Sequence, residues 1–173
     1  MATRKSIWVL FGILVIPIWI LGSAIQVGAE MLKGRNVLTT TKYEEIAVSD
    51  ESGHVLAILI SEGLAFFENG EIAKMRNHRI LDTTPGKDSQ SISYNIFTFE
   101  DGSTVVTRTQ RLMVPDKSGN FSAKVTGGLI KGTGRFEGIK GTISAVGKDF
   151  LPSKGEAGRF LNDFTWTYTL PTK

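Results

Sequence analysis

The chain of 173 residues contains no cysteine, two histidines and five prolines. Without cysteine, a disulfide-stapled scaffold, a thiolate zinc site and a cysteine nucleophile are all excluded. His54 and His78 alone supply too little imidazole for a histidine metal cluster. An excess of one charge sign is also missing from the body. Lys plus Arg number 20 against 17 Asp plus Glu, but Arg4 and Lys5 stand ahead of a long apolar run, leaving 18 against 17 past Ala29. Nucleic-acid binding needs a dense cationic surface, and this body does not offer one. Nor is there an amphipathic helical period of useful length between Thr39 and Leu170. The length suits one domain with a core of its own.

The first charge-free stretch is long. From Ile7 to Ala29 there are 23 uncharged residues, preceded by Arg4 and Lys5. Positive charge ahead of an apolar run places its start in the cytoplasm. Residues 1–29 therefore read as a signal peptide, with an apolar stretch Ile7–Leu21 and cleavage after Ala29, or as a retained membrane-anchor helix. At ~1.5 Å per residue the run is long enough to span a bilayer core of ~30 Å. Both readings place the remainder outside the cytoplasm, either secreted or anchored. Residues 30–38 read as a linker and 39–173 as the folded domain.

That domain reads as all-β. Runs of β-branched and aromatic residues alternate with turn signals, clearest at Glu68-Asn69-Gly70-Glu71 and Glu100-Asp101-Gly102-Ser103. Eight strands are expected, at about 39–48, 54–62, 71–84, 91–100, 103–114, 121–130, 135–147 and 159–170. Short connections make an antiparallel meander, and eight long strands remove their edges best by closing into a barrel. In the last strand Phe164, Trp166, Tyr168 and Leu170 share one face and Thr165, Thr167 and Thr169 the other, so one face is buried. Strand 91–100 has apolar residues on both sides, Ile92, Tyr94 and Ile96 against Phe97 and Phe99, so its outer face is expected to meet a partner or a loop.

Seven glycines lie between Gly127 and Gly147. A phosphate loop fails on spacing: Gly132, Gly134 and Gly138 have neither a Gly-Lys-Ser/Thr ending nor a following helix. Bending and close approach of barrel strands account for them better. The stretch Gly132-Thr133-Gly134-Arg135-Phe136-Glu137-Gly138-Ile139-Lys140-Gly141 resembles the glycine strand turn of the allene oxide cyclase and dirigent-type barrels, with Lys140 where that motif has arginine. The resemblance implies an eight-stranded barrel, often oligomeric, with an apolar cavity that guides isomerisation or cyclisation of a hydrophobic molecule. It implies catalysis by restricting conformers and excluding water, without a cofactor. It transfers no individual site residue.

The candidate site residues come from alternation. Tyr94, Arg108 and Gln110 sit mid-strand beside apolar neighbours and are expected in a cavity, orienting a substrate oxygen, or else stitching the barrel wall. Lys74, Arg76 and His78 share a face. Turned inward, Arg76 and His78 can polarise a carbonyl or hold a carboxylate; turned outward, they are solvated. Glu44 and Glu45 are adjacent, so at most one faces inward, and Arg135 and Lys131 are expected in solvent. Two classes of function follow. The first is an extracytoplasmic barrel that binds an apolar small molecule and isomerises or cyclises it, or only carries it. The second is a non-catalytic accessory subunit of a membrane complex, anchored through 7–29, whose outer apolar face meets a partner; a homo-oligomer is a further expectation.

Overall fold

A computed structural model of the chain describes residues 28–117, 120–151 and 157–172. Its architecture is a closed eight-stranded antiparallel barrel in chain order, sealed by pairing of the first strand with the last. The strands are β1 Glu30–Ala47, β2 Val55–Phe67, β3 Ile72–Thr83, β4 Ser89–Phe99, β5 Thr104–Pro115, β6 Phe121–Gly132, β7 Lys140–Phe150 and β8 Arg159–Thr169. The expected signal or anchor helix lies outside the described residues, apart from Gly28 and Ala29. Among the described residues no helix is long and apolar enough to cross a membrane.

Turn chemistry sets the meander. Gly70 and Gly102 take φ of +87° and +80°, the left-handed backbone that a side chain disfavours and that Asn-Gly and Asp-Gly pairs supply. The carboxylate of Asp101 closes its turn by accepting from the Ser103 amide at 2.9 Å and the Ser103 hydroxyl at 3.0 Å.

Three expected boundaries are corrected, the simplest being β2, which runs on past 62 to Phe67. Residues 30–38 are strand, not linker: Glu30–Thr39 pair with β8 from Tyr168 back to Arg159 and close the barrel. Met31, Lys33, Gly34, Arg35 and Asn36 give no clean alternation, because inward Asn36 is polar and outward Met31 is apolar. The seventh strand starts at Lys140 rather than 135, since Gly134–Phe136 form a single 3-10 turn between β6 and β7.

Strand β1 outlasts its partner β8. A bulge between Thr40 and Lys42 shifts its register against β2, and the strand continues to Ala47 paired with Val55–Ile60. Residues Thr41–Ala47 are exposed on both faces, because this end of β1 has left β8 and forms an edge against Val55–Ile60, which pair in turn with β3. Glu45 does lie on the lumenal side of this edge, opposite Ala57, but in solvent; Glu44 lies on the other side, opposite Ile58.

Inside, the residues along β3, β5 and β8 read apolar, polar, apolar. One end is aromatic: Phe67, Phe97, Phe99, Phe164 and Trp166 are buried, with Phe97 and Trp166 edge to face at 4.9 Å. The other end holds Leu59, Leu81, Met113, Phe121 and Phe160. As expected from its alternation, β8 turns Phe164, Trp166 and Tyr168 inward. Close approach of strands is achieved at Gly63, where a Cβ would stand 2.0 Å from the Val37 carbonyl oxygen.

Candidate functional site: a charged belt inside and an apolar groove outside

Between the two apolar ends lies a belt of buried polar side chains. Asp149, with no exposed surface, accepts from Arg79 Nη1 at 2.9 Å on one oxygen and from Arg111 Nη1 at 2.5 Å on the other. Arg111 Nη2 also donates to Asn162 Oδ1 at 2.8 Å, and Asn162 Nδ2 donates to Asn36 Oδ1 at 2.7 Å. The Arg79 guanidinium lies 4.0 Å from the centre of the Phe160 ring, a stacked cation–π contact. On the other side of the belt Asn77 donates to Asn95 at 2.6 Å, and Asn95 to the hydroxyls of Thr107 and Thr109 at 3.0 and 3.2 Å. Burial, and next the charge of Arg79, push the Arg111 guanidinium down to a pKa of about 10, against the opposing pull of Asp149.

These side chains fill the lumen. The cavity left among Asn36, Asn77, Arg79, Asn95, Arg111 and Asn162 measures about 20 Å³. That volume holds one water and is far below the several hundred Å³ of a small-molecule pocket.

Tyr94, Arg108 and Gln110 lie on the outer wall and not in a cavity, and Arg76 and His78 take the outward one of their two expected orientations. Tyr94 is 46% exposed, Arg108, Gln110 and Arg76 are exposed, and His78 is partly exposed. Arg76 forms a 3.3 Å ion pair with Glu62, so the solvated alternative for that face is the one the structure adopts. The lumenal placement of Tyr94, Arg108 and Gln110 is corrected by the pleat: on β4 the bulky Phe97 and Phe99 take the inside, and Ile92 and Tyr94 are turned out. On β5 the inside goes to Val105, Thr107, Thr109, Arg111 and Met113. Alternation alone did not decide it, because the outer face, from Val106 to Leu112, begins and ends with apolar residues as the inner one does.

Outside, three of the expected residues do come together. Tyr94, Arg108 and Gln110 share a groove of about 860 Å³ on the wall of β2–β6, lined by Leu56, Ile80, Ile92 and Leu112 and by Asp82, which is paired with His54. Its floor continues sideways, because Ile58, Ile80 and Ile92 stand directly opposite one another across three strands. Arg108 and Lys124 border it, and among the described residues neither has an ion-pair partner. The expected apolar outer face of strand 91–100 is thus present as Ile92 and Tyr94.

Arg135 in the glycine turn is not simply solvated. It pairs with Glu71 at 2.5 Å and Asp101 at 3.5 Å, and its guanidinium lies 4.7 Å from the Phe136 ring centre. It ties three turns together at the aromatic end. Comparison of the chain with protein-family models gives no match, and comparison with curated proteins gives none.

Proposed function

We propose that the protein is a non-catalytic accessory barrel that works through its outer wall, docking a partner polypeptide in the β2–β6 groove while residues 7–29 serve as its membrane address. The observation that carries this reading is the contrast in volume: about 860 Å³ outside against about 20 Å³ inside. An isomerase, cyclase or carrier of an apolar molecule needs a guest-sized lumen, and the filled belt removes the support for that reading. The resemblance of Gly132–Gly141 to allene oxide cyclase and dirigent-type barrels supports a barrel scaffold and brings no chemistry to these residues.

The occupant is specified by the groove's own chemistry. Leu56, Ile80, Ile92 and Leu112 call for an apolar segment, and the unpaired cations Arg108 and Lys124 call for carboxylates beside it. Exposed apolar residues gathered on one wall in this way, Ile80 among them at 61% exposure, mark an interface.

A photoreactive residue at position 92 of the full chain, expressed in its native host, tests this. The expected product is an adduct with a different polypeptide, mapped to an apolar segment flanked by Asp or Glu, and lost with Ile80→Asp or Arg108→Glu. A photoreactive residue at Lys140, across the barrel, is expected to give no such adduct. Adducts confined to lipid, or to a second copy of this chain, would overturn the proposal.

A further inference from the structure

The lumenal belt is unbalanced in charge. Among the described residues the buried ionisable groups are Arg79, Arg111 and Asp149, two cations against one anion. Asp149 spends both oxygens on the two guanidinium groups, one on each. Arg79 keeps an orphan: its Nε–H is buried without a partner, although the side chain is 1% exposed. A buried donor on a charged group left unpaired costs more than most single interactions return, and a net buried charge adds to that cost.

From this imbalance we infer that the lumenal cavity beside Arg79 and Arg111 is a binding site for a single monatomic anion of the size of chloride. The cavity's dimensions select the class. About 20 Å³ suits one small occupant, and among anions that favours a monatomic halide, somewhat larger than a water, over a tetrahedral oxyanion or an organic carboxylate. A halide there supplies the missing negative charge where the low dielectric makes it count most, and it accepts from the Arg79 Nε–H.

The neutral side of the belt adapts to the same ligand. Asn77 Oδ1 is the second buried orphan among residues that line this cavity. The relay Asn77–Asn95–Thr107/Thr109 satisfies itself in either direction, because threonine hydroxyls donate as readily as they accept. Run in reverse, Asn95 donates to Asn77 Oδ1, the hydroxyls donate to Asn95, and the Asn77 amide N–H₂ becomes free to donate to an anion. A water can meet either orphan, but it leaves the charge unbalanced.

The full chain, purified in detergent without halide, carries the test. Crystals soaked in sodium bromide are expected to show one anomalous scatterer in the lumen, in contact with Arg79. In solution, chloride and bromide are expected to raise the melting temperature saturably by roughly 4–8 °C above sodium gluconate at matched ionic strength. Arg111→Gln removes the surplus charge and is expected to abolish that halide dependence. If this variant fails to fold, the bromide crystal and the wild-type titration still decide. No lumenal bromide, together with identical melting in chloride and gluconate, would overturn the inference and leave a water in its place.

Discussion

Asp149 inside the barrel and His54 on its surface are each the centre of a three-member ion cluster, and the two clusters are inverted copies. Inside, one carboxylate lies between the guanidinium groups of Arg79 and Arg111, all nearly without exposed surface. Outside, one imidazole lies between two carboxylates, Asp50 at 2.6 Å and Asp82 at 3.0 Å, each more than half exposed. The geometry is similar and the energetics are not. In solvent the surroundings share the work of stabilising each charge, so an exposed pair contributes little. In the lumen bulk solvent is excluded from the three charges, and each member depends on the others.

The sharpest way to break this comparison is to remove the inner centre. Asp149→Asn leaves two buried guanidinium groups without a counter-charge and is expected to cost about 3–5 kcal/mol in urea unfolding. Replacing the whole cluster at once, Arg79→Met with Arg111→Met and Asp149→Leu, is expected to leave stability unchanged or to raise it by about 1–4 kcal/mol. If the single variant costs as little as a surface substitution, the belt is wet and the contrast fails. A smaller loss is expected at the strand crossing: Gly63→Ala forces a methyl against the Val37 carbonyl, for about 1–3 kcal/mol of overpacking.

The barrel was legible because its determinants are local. The Asn69-Gly70 and Asp101-Gly102 turns, each with positive φ at its glycine, mark strand ends from local sequence, and the alternation through Phe164, Trp166 and Tyr168 assigns one face of β8 from neighbours alone. The site was not legible, because its determinants are distant. On β5, Arg108 and Arg111 are the same residue type on opposite faces, and what draws Arg111 inward is Asp149, 38 positions along the chain. For Arg79 the separation from that same carboxylate is 70 positions. The face that Arg79 shares with Ala73, Met75 and Leu81 is more apolar than the Lys74–Arg76–His78 face, but nothing near it in sequence announces the carboxylate it meets. The same holds for β1, where Asn36 faces inward because Asn162 meets it from β8.

On the outer wall, stability and association are expected to separate. Ile80 is 61% exposed, so Ile80→Ser should move the unfolding free energy by no more than about 0.5 kcal/mol. The same substitution is expected to weaken whatever binding the groove supports, read as loss of the position-92 photoadduct. A large loss of stability would mean that the patch is part of the fold and not a surface held ready for a partner.

The outer cluster gives the smallest effect and the one that depends on pH. The hydrogen bonds that His54 donates to Asp50 and then to Asp82 raise its pKa above the ordinary 6.5. The hydrogen bond with His54 holds Asp50 below its ordinary 3.8. Because the folded imidazole binds its proton more tightly than the unfolded one, its contribution is complete below the unfolded value and fades as pH rises through the folded value. The Asp50 contribution runs the other way, present above its unfolded pKa and lost as pH falls through the lowered folded one. Wild-type protein is therefore expected to show a higher urea midpoint at about pH 5.5 than at about pH 9, with the difference shrinking in His54→Gln. Salt should weaken this difference, since both carboxylates are in solvent. Equal midpoints in wild type at the two pH values would mean that solvent already supplies what Asp50 and Asp82 offer, which would make the contrast between the two clusters complete.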